Sequence, residues 1–280
     1  MAGVQQLRQL VSRWGERVLH CNGDGCAGAR RAWQRISNGA GSICVHGLRY
    51  CFPHCFEREL MRRLVRMQPT RAVRRTLAHR LPLGLLMLSR ADLTDSQLRQ
   101  TLQEQQRNKG RRIGECMQQL GYVREPQVTA ALALQWCCPV LKTLPQQVVD
   151  CGVPRALLRR FQMLPVHLSA ATRALHIAFA DDIEYPALVA IEEMLDCKTQ
   201  ACLTTSSGLQ TAFERMDQQS VPPEKEFADA REPGDIVRII SSYAAKLPAD
   251  DVNVVACRDL AWVRVKSGRD PMNLLFHLPS

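Results

Sequence analysis

Five of the twelve cysteines crowd the first quarter of the chain: Cys21, Cys26, Cys44, Cys51 and Cys55. Two short pairs stand out among them, Cys21-x4-Cys26 and Cys51-x3-Cys55. Zinc takes four thiolate or imidazole ligands in a tetrahedron, and two short cysteine pairs on facing turns supply that set. Gly23 and Gly25 let the first loop curl around an ion. The second pair lies in Tyr50-Cys51-Phe52-Pro53-His54-Cys55-Phe56, just ahead of a helix-like run. A helix N-terminus favours thiolates electrostatically. Cys44, His46 and His54 are rivals for one of the four places, and free thiols in a small core or a redox role are the competing uses. Cys116, Cys137, Cys138, Cys151, Cys197, Cys202 and Cys257 are scattered among apolar neighbours and read as small buried hydrophobes.

Charge is the second chemical signal. The net charge is +10, yet residues 1–80 hold 15 Arg, no Lys and 4 acids, whereas residues 81–280 hold 22 basic and 23 acidic side chains. An anionic partner therefore meets the first segment first, whether nucleic acid, an acidic protein face or a nucleotide messenger. A solvated basic helix is the plainer use of the same residues. Catalytic signals are thin. The seven histidines show no H-x-x-x-H spacing, and there is no G-x-S-x-G. Asp181-Asp182 and Glu192-Glu193 read as a turn and a solvated helix face. Gly-Lys occurs nowhere in the 280 residues, so they contain no Gly-x-x-x-x-Gly-Lys-Ser/Thr phosphate loop.

The elements that must position these residues follow from periodicity and composition. The reading is an α+β multidomain chain: an Arg-rich Cys/His zinc-binding module over 1–66, a helical tandem-motif part over 70–142, and an α/β part over 143–217. A polar, proline-containing linker over 218–234 and a short α/β C-terminal segment over 235–280 complete it. No apolar run approaches the ~20 residues of a membrane span. The amphipathic start, MAGVQQLRQLVSRWGERV, lacks a signal-peptide core. A cytoplasmic location is the expectation, and twelve cysteines there argue against a disulfide framework.

The helical part repeats itself at one fixed offset. Leu83-Gly84 matches Ile113-Gly114, Ala91 matches Gly121, Leu93 matches Val123, Gln97-Leu98 matches Gln127-Val128, and Gln105 matches Gln135. Each unit reads as a helix, a turn and a second amphipathic helix. Gly121 suits a helix C′ position, and Ala91 predicts a different turn in the first unit. Thr94 with Gln97 predicts a capping box. Two stacked helical hairpins that merely pack together would give the same periodicity.

RIGECMQQLGYVREPQVTAALALQ (Arg112–Gln135) resembles the tandem motif of the MshE-type N-terminal domain of type II secretion and type IV pilus ATPases, and Pro82–Gln105 looks like its first copy. The α/β stretch that follows resembles the continuation of that domain, so the resemblance covers about residues 78–216. Residues 233–268 resemble, more faintly, the segment that opens the next domain of those ATPases. The Cys51–Cys55 pair resembles half of a treble-clef zinc finger. What the resemblance implies is a domain that binds cyclic di-GMP through Arg112, Gly114, Gly121 and Gln135 in the second copy and Gly84 and Gln105 in the first. Two departures weaken the first copy: Pro82 stands at the motif's Arg, with Arg80 the nearest stand-in, and Ala91 replaces the turn glycine. With no phosphate loop, the expected function is a non-catalytic adaptor, carrying structural Zn2+, that docks to a secretion, pilus or motility protein and takes cyclic di-GMP as its ligand. A zinc-containing nucleic-acid-binding regulator is the alternative.

Overall fold

A computed structural model describes residues 21–26, 41–67, 80–147, 149–219, 223–230, 232–268 and 271–278. The amphipathic N-terminus read above lies outside the described residues. The chain divides into two compact units, residues 72–221 and the flanking stretches 1–71 and 222–280 taken together.

In the flanking unit, β1 (Ser42–Val45) and β2 (Leu48–Cys51) form an antiparallel hairpin. Its two turn residues, His46 and Gly47, have φ of 49° and 76°, the pair of positive values that a tight type I′ turn needs. β2 runs into α1 (His54–Arg66), whose Phe56, Leu60 and Leu64 recur one helical turn apart and are buried. Glu59 is buried beside them. Its carboxylate accepts from Arg62 Nε and Arg63 Nε, each at 2.8 Å, which satisfies a charge that would otherwise be costly to bury.

The other unit opens with α2 (Leu83–Ser89), α3 (Asp95–Arg107), α4 (Ile113–Gln119) and α5 (Glu125–Trp136). These are two helical hairpins in matching register: Leu83 and Ile113 start the first helices, Asp95 and Glu125 the second, as the repeat predicts. Thr94 caps α3: its Oγ1 accepts from Gln97 N–H at 3.3 Å, and Gln97 Oε1 accepts from Thr94 N–H at 2.9 Å. Gln127 Oε1 likewise accepts from Arg124 N–H at 2.8 Å before α5. The turns differ less than the sequence predicts. Ala91 has φ 58° and Gly121 has φ 72°. Asp92 N–H donates to the Met87 carbonyl and Tyr122 N–H to the Met117 carbonyl, each at 3.0 Å. This is the same helix-ending motif twice, and Ala91 accepts the left-handed conformation at a cost of about 1 kcal/mol.

After α6 (Arg155–Arg160) come β3 (Met163–Ser169), β4 (Ala174–Phe179), α7 (Tyr185–Leu195), β5 (Lys198–Leu203) and α8 (Ser206–Asp217). The strands lie in the order β3-β4-β5, with β3 antiparallel and β5 parallel to β4. Helix α7 is the crossover that a parallel pair requires. Leu164, Leu175, Ile177, Phe179, Ile191 and Phe213 are buried in this part.

The chain then returns to the flanking unit through β6 (Glu224–Phe227), α9 (Pro233–Lys246), β7 (Asp251–Cys257), β8 (Leu260–Lys266) and β9 (Met272–His277). Residues 1–66 and 235–280, expected to be separate, share one sheet, and residues 218–234, expected to be a linker, contribute a strand to it. One six-stranded sheet has the order β2-β1-β7-β8-β9-β6. β1 pairs parallel with β7, and β6, inside the supposed linker, pairs parallel with β9. The strand Glu-Lys-Glu-Phe at a sheet edge is too short and too charged to show period-2 patterning. α1 and α9 pack together. Their buried Phe56, Leu60, Ile236 and Ile240 share a core with Val45, Tyr50, Val254, Val263 and Phe276 of the sheet. Trp262 is also fully buried, its indole N–H donating to Asn273 Oδ1 at 2.9 Å.

Candidate functional site

Cys21 and Cys26 lie in the loop before the hairpin, Cys51 ends β2, and Cys55 is in the first turn of α1. Their four Sγ atoms all lie within 4.8 Å of one another, with Cys26 and Cys51 3.8 Å apart. A tetrahedral ion at about 2.3 Å from each sulfur sets sulfur separations of about 3.8 Å, so the quartet has the size of a metal cage. Backbone N–H groups orient it. Gly23 N–H points at Cys21 Sγ at 3.4 Å and Cys51 N–H at the same sulfur at 3.3 Å. Burial pushes the Cys51 thiol up to about 11 and the Cys55 thiol up to about 12, helped by their hydrogen bonds to Cys21 and Cys26. Four crowded sulfurs become thiolates together only beside a cation.

None of the three rival ligands is in this group. Cys44 lies on β1 opposite Arg49, and His54 is exposed at the start of α1. His46 turns its ring to β7, where Nε2 is 3.0 Å from both the N–H and the carbonyl of Val254. Among the described residues no other group of three or more His, Cys, Asp or Glu is placed to hold a metal.

The two hairpins of the other unit exchange equivalent contacts. Gln105 Nε2 donates to the Arg111 carbonyl at 3.1 Å, and Gln135 Nε2 donates to the Leu81 carbonyl at 2.7 Å. Donors and acceptors alike are repeat counterparts, Gln105 with Gln135 and Leu81 with Arg111. A Cβ on Gly84 would stand 2.7 Å from Leu98 Cδ1 and 3.7 Å from Ile113 Cδ1. One on Gly114 would stand 2.9 Å from Val128 Cγ1 and 3.6 Å from Leu83 Cδ2. Each neighbour of one glycine is the repeat counterpart of the other's. α3 packs on α4 and α2 on α5. The hairpins are therefore a pseudo-two-fold pair. Of the residues expected to hold a ligand, Gly84 and Gly114 are buried by this packing, Gly121 is exposed at its turn, and both glutamines hold backbone.

Arg112 breaks the symmetry. It and Pro82 occupy matching extended positions just before α4 and α2, with ψ of 147° and 138°. Only Arg112 carries a cation there, because Arg80 is stacked on Trp136 with its guanidinium carbon 3.2 Å from the ring centroid. Arg112 pairs with Asp181 at 2.7 Å and Asp182 at 3.4 Å, two residues read from sequence as a mere turn. They line a cavity of about 590 Å³ with Arg112, Arg160, Glu184 and Ser207. Burial holds the Asp181 carboxyl above its usual range. Arg112 pulls it down, and Asp182, Glu115 and Glu125 add to the rise. Ser207 N–H donates to Glu125 Oε1 at 2.9 Å, so a carboxylate from α5 already sits at the start of α8.

The sequence matches no protein-family model, and no curated protein matches it. Among solved structures the chain is similar to MshE with cdg, at 28% identity over 49% of this chain and 99% of that one, with a TM-score of 0.41. It is similar to the N-terminal domain of XpsE at 22% identity, covering 50% of this chain and 96% of that one, TM-score 0.36. A second crystal form of that domain gives 20% identity, 46% and 90% coverage, and a TM-score of 0.29.

Proposed function

We propose that this protein is a non-catalytic cytoplasmic adaptor that docks to a secretion, pilus or motility protein, and that its paired hairpins take cyclic di-GMP. The observation that supports this reading is the reciprocal packing of two equivalent hairpins. Cyclic di-GMP is itself two-fold symmetric, and a pseudo-two-fold surface offers its halves matching surroundings. Arg112 serves one phosphate, and Gly121 keeps its turn open to solvent. Gln105 and Gln135 hold the chain that leads into each hairpin rather than a base. Pro82 leaves the second phosphate without its guanidinium, which costs about 1.5–3 kcal/mol of binding, or one to two orders of magnitude in affinity.

In the other unit, Zn2+ is the ion that suits four thiolates at tetrahedral spacing, and there it serves a structural role. Cys21, Cys26, Cys51 and Cys55 would hold it. Elemental analysis of the purified chain should give one zinc per molecule.

Calorimetric titration of the full chain with cyclic di-GMP tests the ligand. A saturable heat that weakens about tenfold or more in Arg112→Ala is expected. No heat at high micromolar ligand would sink the sensing role.

A further inference from the structure

The metal loop is bordered by a cationic surface that the proposed function leaves unused. On α1, Arg58, Arg62 and Arg66 follow one another at i, i+4 and i+8, a row about 12 Å long. All three are exposed, and so is Arg49 on the edge strand β2. The helix turns its apolar residues, Phe56, Leu60 and Leu64, inward to the core. The row and the edge strand meet at the cysteine loop. Arg58 Nη2 donates to the Asp24 carbonyl at 2.6 Å, and Asn22 N–H donates to the Arg49 carbonyl at 2.8 Å.

Among the described residues, acidic compensation on this face is concentrated on Arg62, which donates Nε and Nη2 to Glu59. Glu59 is buried and shared by Arg62 and Arg63, while the Asp24 carboxylate is 3.9 Å from Arg62. Glu57 is the one other acid on α1. Arg58 and Arg49 spend donors on neutral oxygens, the Asp24 carbonyl and Ser42 Oγ, and keep their full charge.

We propose that Arg49, Arg58, Arg62 and Arg66 form a face that binds the phosphate backbone of a nucleic acid. Cations repeated one helical turn apart match a polymer with regularly repeated anions. Guanidinium is charged at every physiological pH, and its forked donors fit phosphate oxygens. A membrane surface would require an apolar stripe beside the cations, and on α1 Val65 is the sole large apolar side chain left exposed. Contacts of this kind position the backbone without reading bases, so the binding is independent of sequence.

Fluorescence anisotropy of the full chain with a labelled DNA duplex and a labelled RNA hairpin tests this, at salt from about 50 to 200 mM. Binding should weaken with salt along a log–log slope of about −3 to −4, one unit for each arginine engaged. The double variant Arg58→Ala with Arg66→Ala should lose about tenfold or more in affinity and about two units of slope. Lysine at both positions should restore most of the binding, which separates charge from folding. Preference between the DNA and RNA arms names the source. No binding at low salt, or an unchanged slope in the alanine variant, overturns the proposal. So does polyglutamate that displaces the probe as well as unlabelled nucleic acid does, because the face would then be one for acidic protein.

Discussion

A phosphate taken up at Arg112, as the proposed function has it, would displace the carboxylates of Asp181 at 2.7 Å and Asp182 at 3.4 Å, because the guanidinium is already shared between them. Asp181→Asn should therefore tighten cyclic di-GMP binding by about tenfold at neutral pH, read by calorimetry. The pH dependence has a definite sign. Burial raises the Asp181 pKa, so the folded chain holds that proton more tightly than the unfolded chain does. Its ionisation costs stability in full above the raised pKa, and the cost shrinks as pH falls through it and is gone below the unfolded value. Protonation also frees Arg112. Affinity should rise as the pH drops from neutral towards the carboxylate range, and Asp181→Asn should flatten that rise. An affinity that falls on acidification in the parent chain would contradict this account of the ion pair.

Helix packing decides what the glycines do. Gly84 and Gly114 are legible in the sequence as repeat counterparts, and the motif resemblance assigns them to a ligand. The structure gives each a packing duty as well. Gly114 faces Val128, which is branched at Cβ and cannot swing away, whereas Gly84 faces the end of the more adaptable Leu98. Gly114→Ala should cost about 1–3 kcal/mol and Gly84→Ala less, measured by urea unfolding. Val128→Ala in the Gly114→Ala background should recover part of the loss, and equal losses at both glycines would contradict the packing argument. The capping box at Thr94 and the glycine turn at Gly121 are written locally, within a few residues, and the repeat shows by comparing two such local stretches. The bond from Gln135 to Leu81 spans 54 residues and appears only when the hairpins meet. The pairing of Asp181 and Asp182 is hidden from a local reading for the same reason: their partner Arg112 stands at the head of α4, several elements earlier in the chain.

Over the whole molecule, the two-unit division joins segments that the sequence separates. Composition marks the Cys/His segment and the C-terminal segment as distinct, but nothing local announces the parallel pairing of Cys44-Val45 with Asp251-Val252. The four-cysteine cluster then lies at one end of a sheet whose other strands come from the C-terminal stretch, so an ion held there would anchor that end. With the proposed zinc bound, its removal from the full chain with a chelator should speed amide exchange in β1, β2 and the start of α1, and to a smaller extent in β7. Strands β3, β4 and β5 belong to the other unit and should keep their protection. Uniform exchange rates with and without chelator would deny the ion a structural role. In the other unit, the proposed function has two equivalent hairpins meet a ligand with two equivalent halves. Its most direct test is a calorimetric comparison of cyclic di-GMP with GMP on the full chain. One cyclic dinucleotide per chain, bound about tenfold or more tighter than GMP, is the predicted result. Equal affinity for the two, or no saturable heat from either, would contradict it.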